Sequence, residues 1–96
     1  MKRINTKDFQ SFVRSLEGQT IETRAQKKQF TAKVTEGGLE YTPLSTGKPR
    51  LHNDKTLNNI FDEFAQSQSF KCKDYIEITR NISYTLALIG MYLKRK

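Results

Sequence analysis

Phe9, Phe12, Val13 and Leu16 stand at i, i+3, i+4 and i+7, the spacing that gathers side chains on one face of an α-helix. Asn5 reads as its N-cap, with Asp8 three residues on as a short capping-box acid. Ile4 and Phe9 have the spacing of a hydrophobic staple. Gly18 supplies a left-handed stop, so the pattern predicts a helix over about 6–17. The period then changes from helical to alternating. Thr20–Thr23 is short and rich in β-branched residues. From Gln29 to Thr35, Phe30, Ala32 and Val34 point one way, and Gln29, Thr31, Lys33 and Thr35 point the other. Glu36-Gly37-Gly38 reads as a hairpin turn, because glycine tolerates the positive φ that tight hairpins need. Leu39–Thr42 returns, with Leu39 and Tyr41 on the apolar face.

Residues 43–53, punctuated by Pro43, Gly47 and Pro49, read as the longest loop. Asn53 or Asp54 then caps a second helix, in which Leu57, Ile60, Phe61 and Phe64 repeat the one-face spacing before it fades near residues 67–69. Asp74 to Thr79 fits either a turn with a short helix or a short extended piece. A long helix follows from about Arg80 to Lys94, with Ile82, Leu86, Ile89 and Leu93 as its stripe. The order is α-β-β-β-α-α. It predicts one domain over residues 1–96, of α+β class, with a small three-stranded antiparallel meander and helices packed on one face. The expected core is Phe9, Phe12, Val13, Leu16, Phe30, Val34, Tyr41, Leu57, Ile60, Phe61, Phe64, Ile82, Leu86, Ile89 and Leu93.

Composition narrows the chemistry. The 96 residues hold one cysteine and one histidine, too few for a structural zinc site or a disulfide framework within one chain. No metal or other cofactor is expected. A lone thiol suits a reducing compartment, no signal-peptide pattern opens the chain, and Leu86–Leu93 is far shorter than a membrane span; the expectation is a cytoplasmic, soluble protein. Cys72, between Lys71 and Lys73, reads as a small buried side chain rather than a reactive thiol. His52, with Asp54 nearby, reads as a surface residue of a polar loop and makes no triad. The carboxylates Asp62, Glu63, Glu36 and Glu40 show no nuclease-like grouping. Thr46-Gly47-Lys48 resembles the end of a phosphate-binding loop but lacks the upstream glycine, and Pro49 stands where Ser or Thr belongs. A non-catalytic protein is expected.

Charge is the departure that matters. Seventeen Lys+Arg against ten Asp+Glu give a net charge of +7. Residues 24–50 hold six of the basic residues and two of the acidic ones, an excess of four. Arg24, Lys27, Lys28, Lys33, Lys48 and Arg50, with Thr31 and Thr35 on the polar sheet face, are the candidate nucleic-acid contacts. Cations and hydroxyls are the groups that phosphates accept bonds from. The aromatics of the sheet fall on the core side, so no base-stacking pair is offered and duplex DNA is favoured over single strands. The rival reading is a small protein-interaction module, such as an inhibitor, an antitoxin-like partner or an accessory subunit, docking on an acidic protein surface. Continuous basic surface separates the first reading from an apolar patch rimmed by charge.

Overall fold

The hydrophobic periodicity of the N-terminal segment becomes helix α1, Thr6–Ser15, with the Asn5 side chain accepting the Asp8 N–H at 3.0 Å. The structure is a computed structural model and describes residues 3–24 and 26–94. The Asp8 carboxylate accepts the Tyr92 hydroxyl. Four strands follow: β1 (Ile21–Glu22), β2 (Gln29–Thr35), β3 (Gly38–Pro43) and β4 (Arg50–Asn53). They form an antiparallel meander in chain order. Helix α2 is Asp54–Ser67, a 3₁₀ turn covers Cys72–Asp74, and helix α3 is Ile82–Lys94. The class is α+β. Among the described residues no helix is long and apolar enough to cross a membrane.

The sheet has four strands, where the pattern predicted three. Arg50–Asn53, expected within the loop, pairs with β3 through Tyr41↔Arg50, Glu40↔Leu51, Leu39↔His52 and Gly38↔Asn53. The strand escaped detection because its polarity is inverted. Its apolar residue, Leu51, is 68% exposed, and its inward position holds His52, 2% exposed. The loop proper shrinks to 44–49, turning at Gly47 (φ +68°).

Gly38 sets the approach of β4. A Cβ there would lie 2.1 Å from the His52 carbonyl oxygen and 2.8 Å from the Asn53 Cα. Only a bare backbone lets the third and fourth strands come this close. Gly37, at φ +85°, makes the turn before it, and its carbonyl accepts the Asp54 N–H at 2.8 Å. The hairpin is thereby tied to the first residue of α2.

Phe30, Ala32, Leu39, Tyr41 and His52 turn one face of the sheet inward, and all of them are buried. Phe30, Ala32, Leu39 and Tyr41 join Phe9, Val13, Leu57, Ile60, Phe61 and the inward side of α3 in one core. Phe9 meets Phe61 edge-on, with ring centroids 5.0 Å apart. Phe12 and Val34 pack against this core while partly buried. Leu93, expected in the core, is 39% exposed on the last turn of α3, whereas Tyr92 beside it is buried. Residues 75–81 are turns and irregular backbone, and α3 begins at Ile82 rather than Arg80. Beyond β1, the Val34 N–H at the outer side of β2 donates to Glu17 Oε2 at 2.9 Å.

Gly38→Ala should destabilise the fold by about 3 kcal/mol through backbone overpacking. Phe61→Ala should cost ~3–5 kcal/mol through cavity formation. Leu93→Ala should cost less than ~1 kcal/mol, the range of an ordinary surface position. Urea unfolding of the three variants against the parent checks this ordering.

Candidate nucleic-acid interface

Strand direction decides where the basic residues gather. The β1–β2 connection (residues 23–28) and the β3–β4 connection (residues 44–49) lie at the same end of the meander. The two connections touch: the Leu44 N–H donates to the Gln29 carbonyl at 3.0 Å, and Lys28, Gln29, Leu44 and Ser45 line one shallow hollow. Arg24, Lys27, Lys28 and Lys48 therefore share one end of the sheet, with Arg50 at the start of β4. All five are exposed. No acidic residue occurs from Thr23 to Thr35 or from Tyr41 to Asn53. The opposite end carries Glu36 in the β2–β3 turn and Asp54 at the start of α2, with Lys55 beside them. Glu22, the last residue of β1, is the one carboxylate beside the basic end, where five cations leave a positive excess.

The remaining sequence-predicted contacts lie elsewhere. Thr31 and Lys33 are on the outer sheet face, lining a hollow that also contains Glu17, Glu40 and Thr42. Lys33 Nζ sits 3.0 Å from Glu40 Oε2, its cross-strand neighbour. With Glu17 in the same hollow, this face has no excess of positive charge. Thr35 is at the far end, paired with Gly38. Of the eight candidates, the structure brings Arg24, Lys27, Lys28, Lys48 and Arg50 together and leaves Thr31, Lys33 and Thr35 outside the group.

A cleft of about 330 Å³ opens beside the basic end, between residues 23–28 and the start of α3. Arg24, Lys28 and Arg80 line it, together with Phe70, Cys72 and Tyr84. The Arg24 guanidinium lies over the Phe70 ring, 4.2 Å from its centroid, in a favourable cation–π position. It also reaches α3, where a Cβ on Gly90 would meet Arg24 Nη1 at 2.6 Å. Cys72 is an exposed free thiol, contrary to the buried position expected for it. The sequence offered one sign of this cleft. Arg80 precedes a helix by two residues, where the macrodipole disfavours a cation.

His52, expected on the surface, belongs to a buried polar chain. Tyr41 Oη and Thr85 Oγ1 are 2.9 Å apart, Thr85 Oγ1 and His52 Nδ1 are 3.0 Å apart, and His52 Nε2 and Thr79 Oγ1 are 3.3 Å apart. Tyr41 donating to Thr85, Thr85 to Nδ1, and Nε2–H to Thr79 satisfies a neutral imidazole at both nitrogens. Burial pushes the imidazole down to about 4 and pushes the Tyr41 hydroxyl up from its ordinary value. With no open face toward solvent, the histidine serves the fold. Among the described residues no three of His, Cys, Asp and Glu gather as metal ligands would.

Compared with protein-family models, curated proteins and solved structures, the chain matches none.

The imidazole takes up its proton near 6.5 when unfolded and only near 4 when folded. Its contribution is fully present above pH 6.5 and is lost as pH falls toward 4. The loss should approach ~3 kcal/mol by the linkage relation. Urea midpoints between pH 7.5 and 4.5 should show this decline. A His52→Gln variant, less stable at neutral pH, should show a shallower one.

Proposed function

We propose that this chain is a non-catalytic nucleic-acid-binding domain that grips phosphates with the basic end of its sheet. What supports this is the convergence of two acid-free connections, 23–28 and 44–49, on one end, where five cations outnumber the single neighbouring carboxylate, Glu22. A polarised molecule of this kind turns its basic end toward a polyanion before contact, which raises the association rate. Arg24, Lys27, Lys28, Lys48 and Arg50 supply the charge, and Ser45, Thr46 and the Gly47 amide are further donors. Lys33, balanced by Glu40, contributes little.

Duplex is favoured because, among the described residues, the exposed large hydrophobics are Leu44, Leu51, Ile76, Met91 and Leu93, none of them aromatic. A single-strand platform stacks bases on aromatic rings, and the sheet aromatics Phe30 and Tyr41 are fully buried. Phosphate contacts dominate such an interface, so affinity depends on salt more than on sequence. The rival reading, a small module docking on an acidic protein, is supported by Leu44 and Leu51, which put apolar surface beside the same cations.

Binding to random duplex DNA should weaken linearly in log salt. Four to five neutralised phosphates imply a slope of roughly −3.6 to −4.5. Replacing Lys48 and Arg50 together by Ala should flatten that slope by about 1.8 without unfolding the domain. Lys33→Ala should change it by less than about 0.5. Fluorescence anisotropy at four salt concentrations measures all three. If the parent fails to bind duplex at low salt, the protein-partner reading replaces this one.

A further inference from the structure

Three cations, Arg24, Lys28 and Arg80, line one cleft of about 330 Å³ and have no ion-pair partner among the described residues. No carboxylate lines that cleft. Exposed cations normally spread apart or pair; three facing one concavity without a counter-charge form an anion-attracting site. The start of α3 sharpens the point. Ile82, Ser83 and Tyr84, its first turn, also line the cleft, and first-turn amides lack partners within their own helix. The positive end of the dipole adds to the field of Arg80 instead of offsetting it.

The rest of the lining says what else the anion carries. Phe70, Tyr84 and Leu86 give the cleft an apolar side. Phe70 is already held under the Arg24 guanidinium, and the Tyr84 ring is braced by Phe30 at a centroid distance of 4.9 Å. Thr23, Gln26 and Asn81 add hydrogen-bonding groups. A cation cluster joined to a braced apolar wall suits a phosphate attached to a flat ring. The volume is at the lower end for small-molecule sites, which run from roughly 300 to 1,000 Å³. It has room for one such unit and not for a strand passing through.

We infer that this cleft binds a single nucleotide, its phosphate held by Arg24, Lys28 and Arg80 and its ring against the wall of Phe70 and Tyr84. The nucleotide is either a free nucleoside monophosphate or the phosphorylated end of a nucleic-acid strand. The second source rests on the nucleic-acid reading above, because Arg24 and Lys28 belong to both the cleft and the basic end. A strand bound along that end would deliver its terminus here.

Cys72, exposed and in the cleft wall, provides a reporter. Adenosine 5′-monophosphate should slow maleimide labelling of Cys72 at least fivefold, with adenosine and inorganic phosphate each slowing it less. Separately, a 5′-phosphorylated linear duplex should bind at least tenfold more tightly than its 5′-hydroxyl form or a closed circle of equal length. Arg80→Ala should bring that ratio close to one. Protection by the mononucleotide without duplex binding supports the cleft, identifies the free nucleotide as its source and removes the nucleic-acid reading. Equal binding of circle and both linear forms, with no protection by the mononucleotide, overturns the cleft and leaves the nucleic-acid reading standing. Absence of both overturns both.

Discussion

The chain of hydroxyls through His52 is the constraint on which the arrangement of the C-terminal half depends. Tyr41 is on β3, His52 on β4, Thr79 in the irregular segment before α3, and Thr85 on α3 itself. Each of these polar groups would be costly to bury alone. Together they are satisfied only when α3 lies across the third and fourth strands in one register. A purely apolar contact tolerates sliding, and a hydrogen-bonded one does not. The position of α3 is therefore specified by donors and acceptors as well as by Leu86, Leu88 and Ile89. The cleft inherits its shape from that placement, since one wall is the first turn of α3 and the other is the connection leading into β2.

Charge and topology cooperate in a way that composition does not reveal. A meander returns every second connection to the same end, so cations placed in alternate connections accumulate there. Residues 23–28 and 44–49 are alternate connections. Glu36, in the intervening turn, is sent to the other end. A net charge of +7 spread evenly would say little. Its separation along the strands gives the molecule an orientation in any external field.

The helices α1 and α2 were legible because their apolar residues keep helical spacing with caps at Asn5 and Asn53. The β2–β3 hairpin was legible because alternation and Gly37-Gly38 agree. The fourth strand was not. Pro43, Gly47 and Pro49 mark the approach to it as loop, and its inward residue is the histidine, which no hydrophobic pattern would select. The start of α3 was misplaced by two residues because Ile78 and Thr79 suit either helix or extension, and tertiary hydrogen bonding to His52 chose neither. Among the site residues, the five cations of the basic end were legible as a local excess. Lys33 stands apart from them beside Glu40, a cross-strand neighbour visible only once register is known. The cleft joins residues 23–28 to residues 70–86, and no local pattern reports a meeting across that distance.

On the nucleic-acid reading, the bond from the Val34 amide to Glu17 would bear on how many copies could share one polyanion. A sheet ends in two rims of unpaired backbone, and each is a template on which another chain can polymerise. Here the rim of β2 beyond β1 is occupied by a carboxylate that offers no amide of its own. The rim of β4 is four residues long, bounded by Pro49 on one side and α2 on the other. Any proteins crowded side by side on a polymer are held at high local concentration, the condition that favours fibril growth. With Glu17 on one rim and only four residues on the other, such crowding would offer a neighbouring chain little open ladder to extend.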